Sequence, residues 1–273
     1  MTTRTLIHVS DLHLGKNLET ERRAIAMCEA LIAVNADHVV VTGDLTHRGR
    51  ASELALFWRI FAPLTARGRV TVVPGNHDRL GDDLGEAIQG GGRVVVTQLP
   101  GLHLVRFDST GPHNRAWLAG HGVMTADDVA AISAAVDLAA PGALVAVLLH
   151  HHILPLPADH AAERLASWLG WPYADELELG GDLLGALRGR CDLVLHGHRH
   201  APQAGTFFGY DARPVLVFNA GSSTELGRVR VFAHALGRVL GPPAWLTTGP
   251  DSRDTPARTR GAGRAELGLP STT

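Results

Sequence analysis

Three histidines stand within five positions of the segment DLVLHGHRHAP (192–202), namely His196, His198 and His200. Neighbouring imidazoles repel one another once they are protonated, so a cluster of this kind suggests a task that needs neutral ring nitrogens. Two imidazoles at positions i and i+2 of a turn can face one metal ion or two adjacent ions. His198 and His200 are therefore candidate metal ligands, with a polar turn or an accident of a histidine-rich chain as the alternatives at this point. His196, at the end of the preceding apolar run, is a candidate to pack against them or support them.

Other potential ligands follow short apolar runs elsewhere in the chain. They form five groups: Asp11 and His13 in SDLH, Asp44 in GDLTHRG, Asn76 and His77 in GNHD, His150 in LLHHH, and His198 and His200 in GHRH. A single GD or NH pair is a common turn and carries little information by itself. Five groups that each follow an apolar run are hard to assign to chance, and they predict one shared metal centre.

The runs that precede these groups are the elements that must position them. Short segments rich in leucine and β-branched residues predict strands at 4–10, 37–43, 69–75, 143–149 and 192–197. Helical patterns lie between the strands, at 20–34, 52–64 and 125–140. Alternating strands and helices predict β–α–β units, in which ligands bind beyond the carboxyl ends of the strands. We expect the five groups to converge on one side of this sheet.

Further strand-like runs are not all separated by helices, and they predict a second, more antiparallel sheet, from 93–99, 102–109, 214–222 and 228–234. The predicted fold is α/β, a four-layer α-β-β-α sandwich of two mixed sheets packed face to face and flanked by helices. We assign residues 1–247 to this domain. Residues 248–273 lack periodicity and are rich in Pro, Gly, Ser and Thr, which predicts a disordered tail.

The bulk composition is that of a globular protein with a sizeable core. Hydrophobic residues make up 45% of the 273 positions, and 25 basic against 27 acidic residues leave a net charge of −2, which disfavours a nucleic-acid or membrane-surface protein. Cys28 and Cys191 stand far apart and are predicted to be buried free thiols, as in a reducing cytoplasm. No apolar run reaches transmembrane length and no signal-peptide pattern is present, so the predicted location is cytoplasmic.

The ordered series D-x-H, G-D, G-N-H-D, a strand-ending His and G-H-x-H resembles the signature of the calcineurin-like metallophosphoesterases. The match spans roughly residues 6–200 and is most similar to the class III cyclic nucleotide phosphodiesterase-like members. The resemblance implies two transition-metal ions, with Mn, Fe or Zn as candidates for an imidazole and carboxylate donor set. One ion would bind Asp11, His13, Asp44 and His200. The second would bind Asp44, Asn76, His150 and His198, with Asp44 shared by both.

The resemblance also implies the reaction. A hydroxide that bridges the two ions would attack the phosphorus of a small phosphoester, and His77 would protonate the departing alkoxide. Asp78 is a candidate to orient one of these groups, or an ordinary turn residue. Arg48 and Arg199 lie near the site in sequence and are candidates to contact a phosphate oxygen, with a solvated surface role equally open.

Two departures from the family pattern affect this assignment. The family often carries H-H-P after the fourth strand, where this chain has three histidines, and we select the first, His150. Related protein phosphatases carry an Asp that pairs with the catalytic histidine. Here that position is His47, followed by Arg48, which disfavours a protein phosphatase and leaves open what orients His77.

The predicted function is hydrolysis of a 3′,5′-cyclic nucleotide or a similar small phosphodiester. A phosphomonoesterase, a nuclease and a non-catalytic metal-binding scaffold are the alternatives, and a homodimer is left open. Residues 153–185 form a candidate substrate-shaping insertion. Its Trp168, Trp171 and Tyr173 are candidates for a wall against a substrate base, with core packing or a dimer contact the more frequent fate of such residues.

Overall fold

The computed structural model describes residues 3–116, 119–155 and 176–249. The strands within these ranges are, in chain order, β1 (Arg4–Val9), β2 (His38–Thr42), β3 (Val70–Val73), β4 (Val94–Leu99), β5 (Leu102–Phe107), β6 (Leu144–Leu148), β7 (Leu193–His196), β8 (Gln203–Phe207), β9 (Val215–Asn219), β10 (Arg228–Ala235), β11 (Arg238–Val239) and β12 (Ala244–Thr247). The helices are α1 (Leu18–Ala33), α2 (Ala51–Ile60), α3 (Ala62–Thr65), α4 (Gly85–Gln89), α5 (Ala126–Asp137), α6 (Gly180–Leu187) and α7 (Ser223–Leu226). Two short 3₁₀ helices cover His77–Arg79 and Pro112–Arg115.

The strands form two mixed sheets of six strands each in the described part of the chain. The first has the order β11-β10-β1-β2-β3, with β12 also paired to β10, and its β1, β2 and β3 are parallel. The second has the order β4-β5-β6-β7-β9-β8, and the four strands from β5 to β9 in that order are parallel. Antiparallel strands therefore occur at the margins of both sheets.

Alternating side chains of each strand divide the core into three layers. In β1, Leu6 faces the apolar layer between the two sheets, whereas Ile7 packs toward α1 and α2. In β6, Ala146 joins the layer between the sheets, and Val147 packs toward α5 and α6. This alternation is what a sheet covered on both faces requires. The predicted α-β-β-α sandwich is confirmed.

The division of strands between the sheets differs from the prediction. We expected the five strands that precede the ligand groups in one sheet, but β1, β2 and β3 lie in the first sheet and β6 and β7 lie in the second. The second sheet is also less antiparallel than expected, and the run at 228–234 pairs with β1 in the first sheet. Hydrophobic periodicity marks a strand and its buried faces, but it does not carry the identity of the neighbouring strand.

Smaller differences occur at the ends of elements. The predicted helix over 52–64 is divided into α2 and α3, with Pro63 in the first turn of α3, where its missing N–H costs nothing. Three short strands, β8, β11 and β12, were not predicted from the sequence. β12 is mostly exposed and has no continuous apolar run, so it offers little sequence signal.

The segments at the two ends of the candidate insertion lie side by side. The amide of Leu177 donates to the carbonyl of His152 at 3.0 Å, and Gly180 lies against Ile153, where an added Cβ would collide with the Ile153 carbonyl. Residues 156–175, which include the aromatic residues of the candidate substrate wall, lie outside the described residues, as do residues 250–273 of the expected tail.

Both cysteines are buried free thiols, as predicted. The cytoplasmic location that we drew from them stays a prediction. Among the described residues, no helix has the length and apolar character needed to span a bilayer.

Candidate metal centre

Five loops at the carboxyl ends of β1, β2, β3, β6 and β7 meet where the two sheets come together. The loops after β1 and β2 are joined by the Asp11 amide, which donates to the Gly43 carbonyl at 3.1 Å. The loop after β7 joins the loop after β6, since the Gly197 amide donates to the His150 carbonyl at 3.1 Å. The His198 amide donates to the carboxylate of Asp11 at 3.2 Å and so connects the two sheets. The predicted groups therefore converge, although they come from two sheets.

The backbone at this convergence adopts strained conformations. Asp11, His13, Asp44 and His198 have positive φ values of 53°, 48°, 51° and 69°. Such values are uncommon for residues other than glycine and cost about 1–3 kcal/mol each. Four of the proposed ligands therefore hold a conformation that the surrounding structure must enforce, which is typical of a functional site.

Glycines leave room for the ligand side chains. At Gly197, an added Cβ would collide with the side chains of Ser10 and Asp11, and at Gly75 it would collide with Asp44. These two positions therefore require glycine for close approach of the loops.

The first proposed ligand group gathers around His13. Its Nε2 lies 3.2 Å from Nε2 of His200 and 3.7 Å from Oδ2 of Asp44, and Nε2 of His200 lies 3.8 Å from Oδ1 of Asp11. All four side chains come within reach of a common point.

The second proposed group gathers around the amide oxygen of Asn76. This Oδ1 lies 3.0 Å from Nε2 of His150 and 3.1 Å from Nδ1 of His198, and the His150 Nε2 lies 3.5 Å from Oδ1 of Asp44. Asp44 thus turns one carboxylate oxygen toward each group, the arrangement expected of a shared ligand.

The three consecutive histidines after β6 have different surroundings. His150 directs Nε2 toward Asn76 and Asp44. His151 lies 2.8 Å from the Ser109 hydroxyl through Nδ1 and 2.9 Å from the Gly120 carbonyl through Nε2. The geometry therefore supports the selection of His150.

Hydrogen bonds set the tautomers of two of the imidazoles. Nδ1 of His150 donates to the Thr42 carbonyl at 2.8 Å, which leaves the lone pair on Nε2, facing the centre. Nδ1 of His200 lies 3.3 Å from the carboxylate of Glu225, which also accepts a hydrogen bond from Lys16. Both partners leave Nε2 for a metal ion. Sequence reasoning missed Glu225, although it follows β9 at the same edge of the sheet.

Burial and neighbouring charges shift the pKa values of these groups in opposite directions. Burial raises the pKa of Asp11 to about 6. Burial also raises the pKa of Asp44, but the positive charges of His150, His77 and His13 outweigh it and hold that pKa below its ordinary value. Burial lowers the pKa of His200, yet the Glu225 hydrogen bond and the Asp11 charge prevail and raise it to about 9.

The candidate catalytic residue His77 is anchored at the edge of both groups. Its amide donates to Oδ1 of Asp44 at 2.9 Å, and its ring centroid lies 4.6 Å from that of His13. Its Nδ1 donates to the backbone carbonyl of His47 at 2.8 Å. A main-chain oxygen therefore takes the orienting position that an Asp side chain occupies in related protein phosphatases.

Asp78 is a structural brace of the site rather than an ordinary turn residue. Its fully buried carboxylate accepts hydrogen bonds from the Thr46 amide and hydroxyl, at 2.9 and 2.7 Å, and from the Gly75 amide at 2.9 Å. It therefore joins the loop that carries Asp44 to the loop that carries Asn76.

Arg79 connects the same loop to the second sheet, and sequence reasoning missed it. Its guanidinium donates to the Thr110 hydroxyl at 2.6 Å and pairs with Asp83 and with Asp108, which follows β5. These contacts explain how the loop after β3 is held in place against the second sheet.

The two candidate phosphate-binding arginines have different environments. Arg48 is exposed and lines a surface cleft with Arg50 and Leu80. Arg199 is only 6% exposed. Burial is the main cause that lowers the pKa of both His152 and His198, and the charge of Arg199 adds to it. A phosphate contact for either arginine stays a prediction.

His196 takes a supporting position, as expected from its place at the strand end. It is 3% exposed and its Nδ1 donates to the Gly197 carbonyl at 3.2 Å. It therefore packs beneath the turn that carries His198 and His200.

The donor sets fit metal ions. Around an ion with bonds of ~2.1 Å, neighbouring donor atoms stand about 3.0–3.4 Å apart. The donor separations here run from 3.0 to 3.8 Å, so the closer pairs lie within that range and the widest exceeds it by about 0.4 Å. The histidine and carboxylate atoms also form close groups, among them Asp11, His13 and His200, and Asp11, Asp44 and His150. Mixed imidazole and carboxylate donors suit Mn, Fe or Zn better than Mg or Ca.

Comparison with known sequences agrees with this geometry. A family model described as calcineurin-like phosphoesterase matches residues 4–202. One component of the nuclease SbcCD of Bacillus subtilis is 30% identical over 118 residues, which is 39% of this chain and 28% of that protein. A probable cyclic nucleotide phosphodiesterase of Vesicomyosocius okutanii is 28% identical over 79 residues, 27% of this chain and 33% of that protein. The matched segments thus span a third or less of either curated relative.

Solved structures agree in fold. A dimetal phosphatase from Danio rerio superposes with a TM-score of 0.57 at 12% identity, covering 90% of this chain and 99% of that one. A purple acid phosphatase from yellow lupin (Lupinus luteus) gives a TM-score of 0.55 at 11% identity, covering 88% of this chain and 53% of that one. At these identities the likeness shows the fold alone.

Proposed function

This chain belongs to the calcineurin-like phosphoesterase family, and from that premise we propose that it is a metal-dependent phosphodiesterase that hydrolyses a 3′,5′-cyclic nucleotide or a similar small phosphodiester. The observation that carries the proposal is the convergence of seven donor side chains into two groups that share Asp44, with His77 beside them. Residues 1–247 would form the catalytic domain, and the insertion at 153–185 would shape the substrate site.

The charge of the proposed centre suits an anionic substrate. Two divalent ions carry +4, and the carboxylates of Asp11 and Asp44 return −2, so the centre keeps a charge of about +2. When bound, the two ions would supply charge for the phosphoryl oxygens and lower the pKa of a water molecule.

The chain's own residues would hold the substrate and move the proton. His77 keeps its Nδ1 proton on the His47 carbonyl, so Nε2 is the atom that can carry a proton to a departing oxygen. The doubly protonated ring is the form that can act as an acid.

A phosphodiester, rather than a monoester, is supported by both partial relatives, a nuclease component and a probable cyclic nucleotide phosphodiesterase. The formal charge of −2 favours a small substrate over a long polyanion, because no excess of basic residues is present to hold one. A cyclic nucleotide is both a phosphodiester and a small molecule.

A nuclease is the second candidate, and the match to the SbcCD component favours it. A panel of substrates with defined Mn²⁺ separates the candidates: bis-p-nitrophenyl phosphate, 3′,5′-cyclic nucleotides, p-nitrophenyl phosphate and single-stranded DNA. We expect turnover of the first two. If bis-p-nitrophenyl phosphate is hydrolysed and no cyclic nucleotide is, the proposed substrate is wrong but the proposed reaction class stands. Preference for p-nitrophenyl phosphate or for DNA would establish a monoesterase or a nuclease, and Mn²⁺ binding without any hydrolysis would establish a scaffold.

A further inference from the structure

His152 is a buried imidazole that the proposed mechanism does not use. It is 0% exposed, and neither of its ring nitrogens has a hydrogen-bond partner within the described part of the chain. Its neighbours in sequence differ from it. His150 faces Asn76, and His151 engages Ser109 and a backbone carbonyl.

Such a position is costly unless something satisfies the ring. A buried neutral imidazole offers one N–H donor and one lone pair. Leaving a buried polar group unpaired costs about 1–3 kcal/mol, and a native structure rarely keeps such a group without a reason. A leucine or a proline at this position would avoid the cost entirely.

The ring next to His152 has a matching deficit. His198 directs Nδ1 toward Asn76 at 3.1 Å, and its outer Nε2 is buried without a hydrogen-bond partner among the described residues. The rings of His152 and His198 are nearly parallel, at 16°, and their centroids lie 5.8 Å apart. Two adjacent imidazoles therefore both present unpaired nitrogens.

Histidines that bind metal ions generally give their outer N–H to an acceptor, which fixes the tautomer and the direction of the ring. His150 has the Thr42 carbonyl for this purpose, and His200 has the Glu225 carboxylate. His13 and His198 bury the outer nitrogen without a partner in the described residues. Beside His198 lies His152, whose two ring nitrogens both lack a hydrogen-bond partner among the described residues.

We propose that His152 is a positioning residue for His198, through one water molecule that accepts the outer N–H of His198 and donates to a ring nitrogen of His152. Two hydrogen bonds of ~2.8 Å each reach at most about 5.6 Å between two nitrogens, a span that suits rings whose centroids lie 5.8 Å apart. The bridge holds Nδ1 of His198 on the second ion beside Asn76. This inference rests on the proposed metal centre, and it adds a residue that belongs to neither ligand group.

Two variants test the bridge. His152→Phe keeps a ring of similar size without a hydrogen-bonding atom, and His152→Gln keeps a donor and an acceptor. His234→Phe is the matched control. His234 is a buried histidine in β10, and it lies opposite Arg4 at the start of β1, whereas the proposed centre lies beyond the end of β1. Mn²⁺ binding to metal-free full-length protein is measured by titration calorimetry, and the melting temperature of the metal-free protein is measured alongside.

We expect His152→Phe to weaken one of two Mn²⁺ sites about 10–100-fold and to leave the other unchanged. The weakened site is the one that Asn76→Ala also removes. His152→Gln and His234→Phe keep both sites within a few-fold of the wild type. The metal-free His152→Phe protein melts no lower than the wild type, because the proposed water satisfies only one ring nitrogen of His152 and the apolar ring removes the other, unsatisfied one.

Wild-type Mn²⁺ binding in His152→Phe would overturn the inference. So would equal weakening of both sites together with a lower melting temperature, which would indicate a packing role. The outcome is separate from that of the proposed function: a wild-type protein that binds two Mn²⁺ ions but hydrolyses no phosphoester would end the proposed function, and the bridge would still be decided by binding alone.

Discussion

Asp44 is the residue on which the site depends most, because its two carboxylate oxygens face two different sets of donors. Oδ2 lies toward His13, and Oδ1 lies toward His150 while it accepts the amide of His77. The positions of the proposed ligands and of the candidate acid therefore depend on this one side chain. The predictions at the scale of residues concern the groups around Asp44.

Asn76→Ala should remove one of two bound metal ions and nearly all phosphoesterase activity. Its Oδ1 is the atom around which His150 and His198 gather, and alanine leaves no donor in its place. Metal analysis and a bis-p-nitrophenyl phosphate assay measure the two effects. Full activity in this variant would refute the assignment of the second ion.

His77→Ala should keep both metal ions but slow hydrolysis by about 10²–10⁴-fold for esters with poor leaving groups. The loss should be smaller for p-nitrophenyl esters, whose leaving group needs less protonation. A series of aryl and alkyl phosphodiesters measures this dependence. Equal slowing across the series would argue against His77 as the acid.

Metal binding should release a proton from His200 at neutral pH. In the metal-free protein the pKa of His200 is raised to about 9. Below that pH, a proton therefore competes with the metal ion for the Nε2 atom of His200. Affinity for the first ion should therefore rise as pH increases toward about 9, up to tenfold per pH unit, and then level off. Calorimetry in buffers of different ionisation enthalpy counts the protons.

Glu225→Gln tests whether Glu225 causes the pH dependence of metal binding at His200. It removes the carboxylate that raises the pKa of His200, so the rise in affinity should end at a lower pH, nearer the ordinary histidine value of about 6.5. An unchanged pH profile in this variant would show that Glu225 does not control the proton on His200.

At the scale of elements, the short loops after the strands decide the geometry. The strands were predicted from the sequence because buried β-branched runs such as DHVVVTG have few other solutions. The conformation of the loops was not predicted from the sequence, since the positive φ values at Asp11 and Asp44 are imposed by contacts with distant segments. Asp78 and Arg79 are two such contacts, and neither has a local signature that separates it from an ordinary turn residue.

Asp78→Ala should destabilise the metal-free protein by about 2–4 kcal/mol. It leaves the Thr46 amide and the Gly75 amide buried without their acceptor, and each such loss costs about 1–3 kcal/mol. Chemical denaturation measures the difference. Asp127→Ala, at an exposed position of α5, is the control and should change stability by less than ~0.5 kcal/mol. A similar stability for both variants would show that Asp78 does not brace the loops.

At the scale of the whole molecule, the proposed centre lies where the two sheets meet. Asp11, His13 and Asn76 follow strands of the first sheet, whereas His150 and His198 follow strands of the second. Bound ions would therefore join the two halves of the sandwich, and the folded protein would gain stability from binding.

Removal of metal ions should lower the melting temperature of the protein. Free Mn²⁺ at 100 times its dissociation constant adds about 2.7 kcal/mol per site, or roughly 5–10 °C for a domain of this size. Scanning calorimetry with excess Mn²⁺ and with chelator measures the difference, and Asn76→Ala should show about half of it. A melting temperature indifferent to Mn²⁺ would contradict a dinuclear centre.

The sequence by itself determined the main strands and the side chains of the proposed centre. Five ordered groups, each after an apolar run, identified the family and selected the same side chains that the loops bring together, because ligand chemistry restricts residue types at those positions. Periodicity and composition determined the sandwich of two sheets between helices, since burial on both faces requires that alternation.

Only the tertiary structure decided how those parts join. It divided the five strands between two sheets, placed a backbone carbonyl behind His77, whose orienting group the sequence had left open, and brought Glu225 to His200 from 25 residues away in the chain. The physical reason is the same in each case. Strand neighbours, main-chain acceptors and buried imidazole pairs are fixed by packing between distant segments, and no local run of residues encodes the partner it will meet.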